Sequence, residues 1–103
     1  MRVIYIAGRY RADNLGEQIQ NIKHAERAAM KLWSENWCAL CPHLNTQLFD
    51  HFDVASPEAF LEGGLELLRR CDAIYMLSNY RQSEGALKEL ELAKELNLEI
   101  IYE

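Results

Sequence analysis

The sequence predicts an α/β fold, with residues 1–103 as a single domain built as a three-layer αβα sandwich on a parallel sheet of about four strands. Three observations carry that expectation. Short β-branched runs alternate with amphipathic helical stretches along the chain. A length of 103 residues leaves room for one hydrophobic core. Hydrophobic residues, at 50%, supply ample material to fill it.

Arg2-Val3-Ile4-Tyr5-Ile6-Ala7 is a β-branched and aromatic run closed by Gly8, suited to a strand buried on both faces. From Leu15 to Glu35, Ile19, Ile22, Ala25, Ala29, Leu32 and Trp33 recur at helical spacing, with Gln20, Lys23, Glu26, Arg27 and Lys31 between them. Residues 37–41 read as a second strand closed by Pro42. His43 to Ala55 has no clean period and reads as a loop, of a length that often serves a site. Ser56-Pro57-Glu58 then supplies an N-cap, a proline at the first helical position and an early acid. Phe60, Leu61, Leu65 and Leu68 continue that helix to about Arg70. Gly63-Gly64 inside it costs about 1 kcal/mol per glycine relative to alanine, which points to close packing, a kink or a ligand.

Ala73 to Leu77 forms the third strand, Ser83 to Leu96 the third helix and Leu98 to Tyr102 the last strand. The resulting βαβαβαβ order implies parallel pairing with right-handed crossovers. The expected sheet is flavodoxin/Rossmann-like, with strand order 2-1-3-4. Ligands in such sheets bind beyond the carboxyl ends of the strands where the order reverses, here between the first and third. Residues 8–14, 42–46 and 78–89 are therefore the segments expected to build a site.

A net charge of −5 has the wrong sign for a protein that grips polyphosphate backbones, so no polymeric nucleic acid is expected as partner. No apolar run approaches the roughly 18–20 residues that cross a bilayer, and Met1-Arg2 leads straight into a strand-like run. A cytoplasmic protein with no membrane partner is the expectation. Cys38, Cys41 and Cys71 are an odd count without a spacing framework, which fits free thiols in a reducing compartment. Cys38-Ala39-Leu40-Cys41 has C-x-x-C spacing with His43 nearby, but a strand aims residues three apart at opposite faces. Neither a metal nor a cofactor is expected.

Glu89 is the most informative residue. With about 100° per residue and Glu89 at zero, Gly85 falls near −40°, Ala86 near +60°, Leu92 near −60°, Ala93 near +40° and Leu96 near −20°. Glu84, Lys88, Glu91, Lys94 and Glu95 lie about 100° or more away. A carboxylate thus stands in the middle of an apolar stripe, where burial is costly unless it is paired or hydrogen-bonded. Either it serves a cleft, or it reaches out to solvent or to an arginine such as Arg9 or Arg11.

Its neighbours suit a cleft. Ser83 is a good N-cap and Gly85 stands one turn above Glu89 with no side chain, leaving free backbone N–H groups that can take a phosphate or a sugar hydroxyl. A purely structural cap is the other reading. Tyr5 and Gly8-Arg9-Tyr10-Arg11 end the first strand on the same side, Gly8 permitting close backbone approach and the arginines able to neutralise an anion. A solvated turn is the alternative there. His43 and Asn45 follow the second strand at alternate positions, so an extended chain aims both into the cleft. His24 and His51 have no role assigned, and Asp72, at the amino end of its strand, is read as bonding a chain turn.

Ile4-Tyr5-Ile6-Ala7-Gly8-Arg9-Tyr10, Pro42-His43-Leu44-Asn45-Thr46, Leu67-Leu68-Arg69-Arg70-Cys71-Asp72 and Ser83-Glu84-Gly85 followed by Glu89 together resemble the nucleoside 2-deoxyribosyltransferase-like superfamily. The resemblance is to its small branch of uncharacterised domains and spans nearly the whole chain. It implies that Glu89 matches a nucleophile for the anomeric carbon and that Tyr5 matches the tyrosine orienting it. A serine matching Ser83 contacts the 5′-phosphate in the similar deoxynucleoside monophosphate N-glycosidases, whereas transferases of free nucleosides tend to carry aspartate there. By that resemblance Ser83 leans toward nucleotides.

Those relatives also carry an aspartate, upstream of the position matching Asp72, that binds the sugar and assists the leaving base. Gly64 occupies that position here, and nothing in the sequence selects among the nearby acids Glu62, Glu66, Asp50 and Asp53. The resemblance implies an N-glycosidase or 2-deoxyribosyltransferase acting on a small nucleoside or nucleotide. It also implies a homo-oligomer, dimer or larger, whose neighbouring chain helps to close each site. Leu87, far round from the buried stripe of the third helix, is a candidate interface residue. The reading from another class is a non-catalytic nucleotide-binding or sensor domain, with Glu89 accepting from a ribose hydroxyl.

Overall fold

Val3–Ala7 forms β1 in a computed structural model that describes residues 1–103. Ile4, Tyr5, Ile6 and Ala7 are all buried, as a strand covered on both faces requires. The chain continues through α1 (Leu15–Ser34), β2 (Cys38–Leu40), α2 (Pro42–Asn45), α3 (Pro57–Leu68), β3 (Ala73–Met76), α4 (Glu84–Glu95) and β4 (Glu99–Tyr102). Two 3-10 turns join elements, Phe49–His51 between α2 and α3 and Tyr80–Gln82 between β3 and α4. All pairings are parallel and the sheet order is β2-β1-β3-β4, as the βαβ alternation predicts.

Alternation along β1 divides the core between the two faces of the sheet. Ile4 and Ile6 pack with Ala25, Ala29 and Leu32 of α1. Tyr5 and Ala7 point the other way, toward Leu68 of α3 and Ala86, Leu90 and Ala93 of α4. That alternation brings the Tyr5 phenol to the helix that carries Glu89. Polar caps start the longer helices: Asn14 Oδ1 accepts from Glu17 N–H, Ser56 Oγ from Ala59 N–H and Ser83 Oγ from Ala86 N–H. Asn36 (φ 68°) and Asn97 (φ 56°) adopt the left-handed conformation just beyond the ends of α1 and α4, where asparagine is tolerated.

Four expectations are corrected. The segment from His43 to Ala55 is not all loop: Pro42 takes the first position of the short helix α2, and Asn45 N–H bonds back to the Cys41 carbonyl. Ile19 (41% exposed) and Trp33 (53% exposed) lie outside the buried stripe of α1. That stripe consists of Gln18, Ile22, Ala25, Ala28, Ala29 and Leu32, so the helix is rotated toward its small residues. Leu96 lies at the C-terminal cap of α4 and is 40% exposed rather than in the stripe. Asp72 bonds the start of the neighbouring strand rather than a chain turn, its Oδ2 accepting from Val3 N–H of β1 at 2.8 Å.

Candidate functional site

At the floor of a cleft of about 530 Å³, beyond the carboxyl ends of β1 and β3, the Tyr5 hydroxyl donates a short hydrogen bond to Glu89 Oε2. Burial pushes the Glu89 carboxyl up to about 7, and the hydrogen bond from Tyr5 pulls the other way. Burial also holds the Tyr5 phenol well above its usual range, with the charge of Glu89 acting in the same direction. A carboxylate in the middle of an apolar stripe therefore meets a phenol rather than either arginine.

Gly64 of α3 is the third member of this floor. A Cβ there would stand 2.7 Å from Tyr5 Oη and 3.4 Å from Glu89 Oε2. Close packing, among the explanations open for the glycine pair, applies to Gly64. A Cβ on Gly63 would have nothing within 4 Å, so that glycine plays no such part.

Ser83 and Gly85 line the cleft at the start of α4, with Ser83 Oγ accepting from Ala86 N–H at 3.0 Å. At the end of β1, a Cβ on Gly8 would lie 2.5 Å from Leu77 Cδ1 and 2.9 Å from Asn79 Oδ1. Glycine alone permits that approach, and the neighbouring Arg9 N–H donates to Asn79 Oδ1 at 2.9 Å. The Arg9 carbonyl accepts from His43 Nε2 at 2.9 Å. Burial lowers the pKa of His43, so the ring is neutral and its one proton sits on the nitrogen facing that carbonyl.

Tyr10 meets the His43 ring edge to face at 5.4 Å. Its hydroxyl accepts from Leu48 N–H at 2.8 Å and donates to Asp50 Oδ1 at 2.7 Å, and burial, with the Asp50 bond next, raises its pKa to about 12. Asp50 Oδ2 accepts from Gln18 Nε2 at 2.8 Å. Burial alone would raise the Asp50 carboxyl, but the bonds from Tyr10 and Gln18 hold it below its ordinary range. His51 Nε2 completes the chain at 2.6 Å from Gln18 Oε1.

The structure thus gathers Tyr5, Gly8, Arg9, Tyr10, His43, Ser83, Gly85 and Glu89 around one cleft. Asn45 is not among them. Helix α2 turns positions two apart by about 200°, so His43 points inward and Asn45 is exposed. Of the four acids left open, Asp50 lines the cleft and Glu62, Glu66 and Asp53 do not. Glu58, Glu84, Arg11 and Lys88 also line it, and so do Phe60 and Leu61. Buried Gln18 has no part in the sequence expectation, although its place in the apolar stripe of α1 is the same signal that marks Glu89. His24 finds partners in Glu103 Oε1 at 2.8 Å and Asn79 at 3.4 Å. No group of three or more His, Cys, Asp or Glu side chains is placed to hold a metal ion, and no helix is long and apolar enough to cross a membrane.

A family model described as "Domain of unknown function (DUF7768)" matches residues 2–103. Among solved structures, a 2-deoxyribosyltransferase from the psychrotolerant bacterium Bacillus psychrosaccharolyticus superposes with a TM-score of 0.66. It is 20% identical over 97% of this chain and 70% of that one. A 2-deoxyribosyltransferase from Leishmania mexicana gives a TM-score of 0.61 at 21% identity over 99% of this chain. The chain spans 63% of the length of that second protein. Both have the fold seen here, and a comparison with curated proteins finds no match.

Proposed function

The chain belongs to the DUF7768 family, a domain of unknown function, and from that premise we propose that it cleaves the N-glycosidic bond of a nucleoside or nucleotide. The reaction is that of an N-glycosidase or 2-deoxyribosyltransferase, with Glu89 as nucleophile. The observation that carries this reading is the Tyr5–Glu89 pair at the floor of a cleft sized for a small ligand.

In this mechanism the Glu89 carboxylate attacks C1′ through an oxocarbenium-like transition state, giving a glycosyl-enzyme that water or a second base resolves. Tyr5 holds the attacking group in place. Backbone N–H groups at Ser83 to Gly85, with the Ser83 hydroxyl, bind a 5′-phosphate or sugar hydroxyl. Gly8, Arg9, Tyr10 and His43 form the opposite wall, with Arg9 available to an anionic group. A neighbouring copy of the chain covers the open side of the cleft, making the working unit a homo-oligomer.

Gly64 favours a second reading, because its Cβ-free backbone brings no carboxylate opposite Glu89. In that reading the cleft binds a nucleotide and releases it unchanged. Chromatography of a panel of ribo- and deoxyribonucleosides and their 5′-monophosphates, with wild-type and Glu89→Gln protein, separates the two. Base release by wild type alone supports catalysis; binding without release supports the sensor.

A further inference from the structure

A neutral purine or pyrimidine leaves its sugar as an anion unless a proton reaches the ring nitrogen in the transition state. Apart from the attacking Glu89, no buried side chain of the cleft has a proton free to deliver. The Tyr5 hydroxyl donates its hydrogen bond to Glu89, which is the attacking group. The Tyr10 hydroxyl donates to Asp50, and both Asp50 oxygens are occupied as acceptors from Tyr10 and Gln18. The one ring proton of His43 is spent on the Arg9 carbonyl.

Gly64, on the floor beside Glu89, carries no acid, and the 2.7 Å approach to Tyr5 Oη leaves no room for one. The guanidinium groups of Arg9 and Arg11 hold their protons too tightly to serve as acids. Glu58, Glu84 and Lys88 stand exposed at the rim, in contact with water.

Resting on the glycosidic reading above, we propose that the substrate is an N-glycoside of a cationic heterocycle, a pyridinium-type base whose ring nitrogen is positively charged while bonded to C1′. Such a base needs no proton to leave. A Glu89 oxygen forms its bond to C1′ as the C1′–N bond breaks, and the bonding pair passes to the ring nitrogen and cancels its charge. Water then adds to C1′, the C1′–Oε pair returns to the Glu89 carboxylate, and one water proton goes to solvent. The products are the free sugar, a neutral pyridine and a proton. The ionised Glu89 carboxylate facing C1′ favours a cationic ring, and Tyr10 offers it an aromatic wall.

The test compares N-ribosyl- and N-(2-deoxyribosyl)-3-carbamoylpyridinium salts and their 5′-phosphates with inosine, adenosine, thymidine and their 5′-monophosphates, reading base release by chromatography. The expected result is a kcat/KM for the pyridinium glycosides at least about 100-fold above that for any neutral base, the low end of what a general acid supplies. Release from the pyridinium series is expected to vanish in Glu89→Gln. Equal release from neutral nucleosides, also lost in Glu89→Gln, would overturn the cationic-substrate proposal while leaving the glycosidic function standing. Release from neither class overturns the glycosidic function, and this proposal with it.

Discussion

Tyr5 and Glu89, 84 residues apart, share a hydrogen bond in which the phenol donates to the carboxylate from the opposite wall of one buried layer. The pair exists because strand alternation turns Tyr5 toward α4 and the 3.6-residue repeat turns Glu89 toward β1. Neither side chain points to solvent on its own element.

Removing the phenol hydroxyl in Tyr5→Phe takes away the one interaction that lowers the Glu89 pKa, so that pKa moves further above about 7. Glu89 acts as a nucleophile in its ionised form, so base release by wild type rises with pH through about 7 and the inflection shifts upward in the variant. A hydrogen bond to a charged group is worth about 1.5–3 kcal/mol, so the rate at neutral pH falls roughly 10- to 100-fold. Carbon-13 carboxyl titration of Glu89 reads the same displacement without substrate.

Glu89 also sets a pH dependence of stability. The folded protein holds this proton up to about 7, whereas the unfolded chain releases it near 4.5. Between those values the folded state binds more protons, so stability falls as pH rises, by roughly 3 kcal/mol in all. Glu89→Gln removes that loss. The variant is expected to be more stable than wild type by about 1–3 kcal/mol near pH 8 and nearly equal to it near pH 4, measured by urea unfolding at both values.

The adjacent glycines of α3 respond with opposite signs. Gly63→Ala meets open space and stabilises the helix by about 0.5–1 kcal/mol. Gly64→Ala places a Cβ 2.7 Å from Tyr5 Oη in a buried side chain with little freedom to move, which costs about 1–3 kcal/mol and displaces the phenol from Glu89. Gly64→Asp therefore reduces base release rather than supplying an acid. Thermal unfolding and activity of the three variants check this ordering.

Ser83→Ala and Ser56→Ala each remove one N-cap and cost about 1 kcal/mol of stability. They differ at the cleft, because Ser83 lines it and Ser56 does not. Only Ser83→Ala is expected to raise KM for 5′-monophosphates relative to nucleosides, by about tenfold, in steady-state assays.

Local periodicity made much of this architecture readable in advance. Strand alternation and the angular position of Glu89 each depend on residues within one element, and the βαβ order constrains the sheet strongly. The wall built by Tyr10, Asp50 and Gln18 was not readable that way. Its bonds join residues 40 and 32 positions apart through side chains alone, and no period marks them. Extending β2 past Pro42 aims Asn45 inward, but the proline instead opens a helical turn. Gln18, about 40° from Ile22 on the α1 wheel, was open to the reasoning that found Glu89.

Intact-mass and peptide mass spectrometry of the protein quenched during turnover tests Glu89 as nucleophile most directly. The result expected is a pentosyl adduct mapped to Glu89 in wild type, absent in Glu89→Gln protein that is folded and inactive. Base release at the wild-type rate by Glu89→Gln, with no adduct at position 89 in either protein, would contradict it.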